Sequence, residues 1–405
     1  MGNTIDDLMP KILARALMVL REQSVMPRLV NGDYGTDPSK KGSVIDVPVP
    51  VAVTTLDVVP GTVPIATVDV DPANVQISLD NWKQNHPIAL TDKDLNQIDA
   101  KDNFLPMTLQ EAVRALSNDV NDSIFACYKG SARGVYGCSY TGFGTDPFGT
   151  NDGNAGATRA RKVLNQQLCP IDNRRAVLNV DADANAIGLA AFSDAEKMMS
   201  AAVKMSGELG HVYGMDFAWD NSVPDHVAGT MATQVGTYTI TNAILGATAL
   251  TVTSNSSSDD DRTILQGDIV SFSGSSAGVD SQTYTITADT LLEGGSGSQT
   301  ATLAIYPGLK VAHEGAATVM DVKASHPVNL AFHRDAFAFA NRPLKDALIA
   351  DLGVKSMTLQ DSVTGLVLRL QITRQHMQTV WEFDILWGCD LVRPEMACRI
   401  IGDAG

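Results

Sequence analysis

The sequence predicts an α+β fold with an all-β barrel inserted into it. Three stretches carry that expectation. Met107 to Lys129 reads as a long amphipathic helix, residues 43 to 92 as paired strands, and residues 230 to 325 as a run of short strands without helix signal. The long helix has β-rich segments on both sides, so it forms the spine of a mixed body.

The chain opens with a second amphipathic helix, Thr4 to Val25. Ile5, Leu8, Met9, Ile12, Leu13, Ala16, Leu17 and Leu20 share one face, and Asp6 and Asp7 suit the positive end of the helix dipole. So broad an apolar face needs cover. The chain's own core and a neighbouring subunit both stay open as that cover. After a turn-rich stretch, Val44, Val47, Val49, Val51 and Val53 mark a strand in which Pro48 and Pro50 exclude a central sheet position. The following segments, TVDVDPANVQISLDNWK and HPIALT, complete a long two-stranded excursion. Such a hairpin is marginal alone and is expected to lean on a partner.

In the long helix, Thr108 and Glu111 have the spacing of a capping box. Leu109, Ala112, Val113, Leu116, Val120 and Ile124 form its apolar stripe, and Gly130 is its stop. At ~1.5 Å per residue it spans roughly 35 Å. The glycine-rich stretch up to Ala155 lacks both phosphate-cradling patterns and reads as a flexible connection. A helix from Ala157 to Cys169, a buried strand from Arg175 to Val180 and a helix from Phe192 to Val203 suggest a compact α/β lobe. Asp181, Asp183 and Asn185 mimic the start of a calcium loop, but Ala186 and Phe192 stand where glycine and glutamate are needed, so a polar turn is expected.

From Thr230 the composition shifts to Thr, Ser, Gly and Val. Six period-two runs follow: TYTITNA, ATALTVTS, DIVSFSG, QTYTITA, TATLAIY and ATVMDVKA. They predict a barrel. Its acidic turn, Asp259, Asp260 and Asp261, reads as solvated rather than metal-binding. From His326 mixed character returns and ends in the long apolar stretch TVWEFDILWGCDLVRPEMACRII.

Composition narrows the function. The 405 residues carry a net charge of -16, which argues against a surface that grips nucleic acid. The N-terminus has acids where a secretion signal has bases, and no apolar run approaches a membrane span. Five scattered cysteines without C-x-x-C spacing suggest a reducing compartment and no zinc site. The seven histidines form no H-E-x-x-H pattern, and no serine lies in G-x-S-x-G. His333-Arg334-Asp335 and Asp225-His226 read as surface salt-bridge clusters. No cofactor is expected. A hydrolase would need a site assembled from distant residues.

The C-terminal WGCDLVRPEMACRI resembles the end of tailed-bacteriophage major capsid proteins. In the same family order, KGSVIDVPVPV and VQISLDNWKQNHPIALTDKDL resemble an extended loop and its return, and Pro106 to Gly130 resembles the spine helix. GHVYGMDFAWDNSVP resembles the segment before the family's late strands, and ILQGDIVSFSG the start of the extra barrel found in coat proteins of short-tailed Salmonella-type phages.

The resemblance implies the Hong Kong 97 capsid fold. Residues 1–30 would be an N-terminal arm, 31–92 the extended loop, 93–150 the peripheral domain, 151–229 the axial domain, 230–325 the inserted barrel, and 326–405 the return through both domains. It also implies a non-enzymatic shell subunit that partners itself in hexamers and pentamers, together with scaffolding, portal and decoration proteins. The shell would assemble in the host cytoplasm and enclose double-stranded DNA without reading its sequence. An encapsulin-like container of the same fold is the alternative. Expected assembly contacts are Asp6, Asp7, Leu8, Ile12, Leu13, Leu17 and Glu22 on the arm, Val47, Val49 and Val51 on the ribbon, and Asp259 to Asp261 on the barrel. The arm and the ribbon are both expected to lack partners within their own chain.

Overall fold

A computed structural model describes residues 5–35, 44–50, 53, 55, 57–58, 60–61, 73–93, 107–130, 133–137, 147–149, 153–193, 207–233, 237–240, 243–254, 261–273, 282–295, 298–313, 318–342, 344, 355–361 and 364–402. Strands are numbered β1 to β23 in chain order. The body is organised around β22 (Gln378–Leu391), whose fourteen residues pair with four other strands. β19 (Phe337–Asn341) and β21 (Val367–Gln375) flank it, β20 (Lys355–Gln360) extends the sheet, and β3 (Asn81–Gln84) and β4 (Ile88–Thr91) also pair with it. Phe383, Ile385 and Trp387 of β22 are buried.

The long helix, Met107–Ala126, lies against this sheet and tightens into a 3-10 turn, Cys127–Lys129. It starts one residue ahead of the expected cap, which puts Thr108 in the first turn. Leu109, Val113, Leu116, Val120 and Ile124 are buried as their spacing requires.

The N-terminal helix, Ile5–Gln23, packs on the long helix and on β20 and β21. Ile12, Leu13, Ala16, Leu17 and Leu20 belong to the same core as Trp381 and Trp387. This corrects the expectation that the arm has no internal partner. The cause is complementarity: the apolar stripes of two helices cover each other, and the sheet closes the third side.

The ribbon is corrected in part. Among the described residues β1 (Val44–Val49) and β2 (Ala73–Ser78) pair only with each other, and Pro48 keeps β1 at an edge. Its base, however, is packed on its own chain: Val47, Val49, Ile77 and Leu79 cluster with Ala338, Ala340 and Val392. A Cβ on Gly388 would meet the Ser78 carbonyl oxygen at 2.2 Å, so this contact of ribbon and β22 requires glycine.

The second lobe is a five-stranded sheet in the order β23 (Ala397–Ile400), β18 (Asn329–His333), β5 (Arg174–Leu178), β7 (Met215–Trp219), β6 (Gly210–Val212). The helix Ala155–Gln166 packs on it through Ala160, Val163 and Leu164. Asp181, Asp183 and Asn185 lie in a helix, Val180–Gly188, where a turn was expected. Asn179 caps it by accepting from the Ala182 amide at 3.0 Å, and the acidic first turn suits the dipole. Among the described residues no group of three or more His, Cys, Asp or Glu could hold a metal. The helix expected at 192–203 lies mostly outside the described residues.

The glycine-rich stretch is not merely a connection. Val135, Tyr136 and Phe148 are buried, and Gly137 bridges to Arg399.

The chain leaves the second lobe through β8 (Asp225–His226), forms the barrel and returns through β17 (His326–Pro327), which pairs with β8. The barrel closes in the order β10 (Ala249–Ser254), β15 (Gln299–Tyr306), β13 (Tyr284–Ile286), β12 (Ile269–Ser273), β16 (Thr318–Val322), β9 (Tyr238–Ile240). Each of the six period-two runs supplies one strand. Val252, Phe272, Tyr284, Leu303 and Met320 fill the barrel's core. The short pair β11 (Arg262–Ile264) and β14 (Thr290–Leu292) lies outside that closed ring.

Candidate functional site

Two features of the fold bear on function: the surfaces offered to other molecules, and the junction that fixes the barrel on the body. At the outer end of the ribbon, Val53 and Val58 are 68% and 84% exposed. Further exposed apolar pairs sit on separate loops: Leu168 with Ile171 after the helix Ala155–Gln166, and Ile244 with Leu245 between β9 and β10.

The expected contact residues divide among these places. Ile12, Leu13, Leu17, Val47 and Val49 are interior. Asp6, Asp7, Leu8 and Glu22 lie on the N-terminal helix, but their side chains fall outside the described part, as does Val51. Asp259 and Asp260 are also outside it. Asp261 is exposed, and its carboxylate accepts from the Gly294 amide at 2.9 Å.

The junction was not anticipated. Asp225-His226 read as a surface pair, but strand alternation turns Asp225 outward and buries His226. His226 Nε2 lies 2.8 Å from Asp268 Oδ1, and its Nδ1 lies 2.7 Å from the Tyr128 hydroxyl. Asp268 also accepts from the amides of Leu265 at 2.7 Å and Gly229 at 3.2 Å. With the Leu265 and Gly229 amides both donating to Asp268, a proton on His226 Nε2 supplies its third donor and leaves Nδ1 to accept from the Tyr128 hydroxyl. Burial lowers the pKa of His226, consistent with this neutral form. The guanidinium of Arg399 stands 4.6 Å from the centre of the Tyr128 ring. Burial pushes Arg399 down to about 10, so it stays charged at neutral pH. His326 packs on His226 with ring centres 5.4 Å apart, and burial beside Arg399 pushes it down to about 2.

These five residues come from the long helix's end, the strands leading to and from the barrel, the barrel itself and β23. Two more bonds cross the same seam: Gln266 Nε2 to the Gly130 carbonyl at 2.5 Å, and Thr283 Oγ1 to the Gly137 carbonyl at 2.6 Å. Tyr128, His226, Asp268 and Arg399 are each at most 3% exposed. A hydrogen-bonded chain so enclosed orients the barrel; it is not open to a substrate. The signal was present in the sequence: Asp268 lies in ILQGDIVSFSG and Arg399 in WGCDLVRPEMACRI, the two stretches that carry the family resemblance near the barrel and at the end.

A groove of about 330 Å³ opens elsewhere, lined by Arg28, Asp183, Glu208 and Trp219 among others. Among the described residues its lining holds no serine, cysteine or histidine.

No family model matches this sequence, and no curated protein matches it. Solved structures do match. One from Mycobacterium phage Che8 aligns over 93% of this chain and 90% of its own, with TM-score 0.50 and 15% identity. A second match, from the capsid structure of cyanophage P-SCSP1u, covers 94% of this chain and 88% of its own, with TM-score 0.51 and 9% identity. The chain has the fold of a phage capsid protein.

Proposed function

We propose that this chain is the major capsid protein of a tailed double-stranded DNA bacteriophage, of the Hong Kong 97 fold and nearest to the short-tailed type with a barrel in its coat protein. The observation that carries the reading is the fold shared, over 94% of the chain, with a structure from a cyanophage capsid. The ribbon supports it. A two-stranded sheet with apolar residues exposed far from its base is poorly stable by itself and gains from lying on a neighbour. The net charge of -16 suits a wall that holds DNA without binding it tightly.

In this reading the long helix is the spine, β1 and β2 are the extended loop, and the five-stranded sheet belongs to the axial domain. The subunit is structural rather than enzymatic. Its partners are copies of itself in pentamers and hexamers, with scaffolding, portal and decoration proteins. Assembly takes place in the host cytoplasm and ends in the virion. Asp6, Asp7, Leu8 and Glu22 would meet a neighbour or a basic scaffold segment, Val51 a neighbouring subunit, and the turn Asp259 to Asp261 a barrel neighbour.

Electron microscopy of the purified chain, alone and with a co-expressed scaffolding partner, tests the proposal. Closed particles of tens of nanometres are expected. Monomers or small rings under all assembly conditions would refute it. Particles that form without a scaffold and fill with a cargo protein would instead identify an encapsulin-like container.

A further inference from the structure

Cys127 opens the 3-10 turn after the long helix, and Cys389 lies near the end of β22. Both thiols are free, and their sulfur atoms are 3.2 Å apart. Both are partly exposed, and each points at the Ser123 carbonyl oxygen at 3.3 Å. We propose that Cys127 and Cys389 form an oxidisable pair that closes into an internal disulfide, bolting the long helix to β22.

The geometry favours this pairing over others. A disulfide needs its two sulfurs to close to about 2.0 Å, and here they start 3.2 Å apart. The other described cysteines, Cys169 and Cys398, are buried. The reaction is thiol–disulfide exchange with a low-molecular-weight disulfide as oxidant. One thiol loses its proton and its thiolate attacks a sulfur of the oxidant, releasing one thiol and leaving a mixed disulfide. The second thiolate attacks the protein sulfur of that mixed disulfide, forms the Cys127–Cys389 bond and releases the second thiol. The protein is oxidised by two electrons and the oxidant reduced by two.

The timing follows from the surroundings. The hydrogen bond with Cys389, burial and the nearby Asp390 carboxylate push the Cys127 thiol well above its ordinary range. The thiolate is therefore scarce at neutral pH, and exchange is slow. In a reducing cell the pair stays open. Outside the cell, where disulfides persist on virion surfaces, it closes. That setting rests on the proposed shell function; the bond itself does not.

The test uses the full-length chain incubated with oxidised glutathione at pH 8, then digested without reduction and analysed by mass spectrometry. The expected product has lost two hydrogen atoms and two of its five thiols, and yields a joined peptide pair carrying Cys127 and Cys389. Its thermal midpoint rises and returns to the starting value with dithiothreitol. In Cys389→Ser, and independently in Cys127→Ser, the oxidant no longer raises the midpoint. A stable glutathione adduct in place of the internal bond would overturn the proposal. So would unchanged thiols, or a midpoint that still rises in both variants. A failure of particle assembly with the disulfide formed would count only against the shell function.

Discussion

Deleting residues 1–25 is expected to unfold the body, not merely to prevent assembly. Ile12, Leu13, Leu17 and Leu20 are at most 6% exposed. Burying each such side chain contributes about 1.5–3 kcal/mol, so their loss removes about 6–12 kcal/mol. Realistic unfolded chains are partly compact, which makes this an upper figure. It still matches the ~5–15 kcal/mol that holds a typical domain together. The deletion also bares the partners of those side chains on the long helix and on β20 and β21. Tryptophan emission during urea unfolding is a suitable assay, because Trp381 and Trp387 lie in the same core as the helix face, while Trp82 and Trp219 are largely exposed. The truncated chain should show no cooperative transition. Leu13→Ala and Leu20→Ala should each lower stability by about 2–5 kcal/mol. A truncated chain with the full-length midpoint and slope would refute the argument. In the proposed shell the arm would then dock on a neighbour, and only assembly would suffer.

The junction gives a pH dependence of known sign. An unfolded histidine takes up a proton near pH 6.5 and folded His326 does not, so stability falls as pH drops from 7 to 5, by about 2 kcal/mol. His326→Asn should flatten that slope in denaturant titrations. Asp220 and Asp390, raised mainly by burial, pull the other way as pH falls through their folded values, which is why the comparison is between variants. Asp268→Ala strands the Leu265 and Gly229 amides and should cost about 3 kcal/mol, read as a lower urea midpoint. Arg369 and Asp384 form a buried bidentate pair between β21 and β22, with Arg369 Nε to Asp384 Oδ1 at 2.8 Å. Asp384→Ala should lower stability by about 3–5 kcal/mol, and the double replacement Arg369→Met with Asp384→Leu should recover most of it. Gly388→Ala drives a methyl group into the Ser78 carbonyl and should lower stability by about 1–3 kcal/mol or reduce the folded yield.

Periodicity made much of this architecture legible. The helix stripe and the six barrel strands came from spacing alone, because each element buries one face against a core. β11 and β14 were missed because neither lies in a longer alternating run: β11 directly follows the acidic turn, and β14 runs into the turn EGGSGSQ. Asp181 to Asn185 read as a turn because Asp and Asn favour turns, yet the same residues favour the first turn of a helix once Asn179 caps it. His226 was misread because adjacency to an acid was taken for a shared surface, whereas neighbours on a strand point to opposite faces. What covers the N-terminal helix could not be read at all. An apolar stripe records that it needs a partner, not whether the partner belongs to its own chain.

The strands that carry the chain into the barrel and out of it lie side by side. His226 faces His326 across β8 and β17, and Tyr238 faces Met320 across β9 and β16. Paired strands are about 4.8 Å apart, so the backbone enters and leaves the barrel at one narrow crossing, while Asp268, Gln266 and Thr283 fasten the barrel to the body beside it. A graft made at that crossing needs no rerouting of the backbone elsewhere. A foreign module whose two termini lie close together could replace the barrel if it also covers Tyr128, His226 and Arg399, and in the proposed shell each subunit would then carry the replacement.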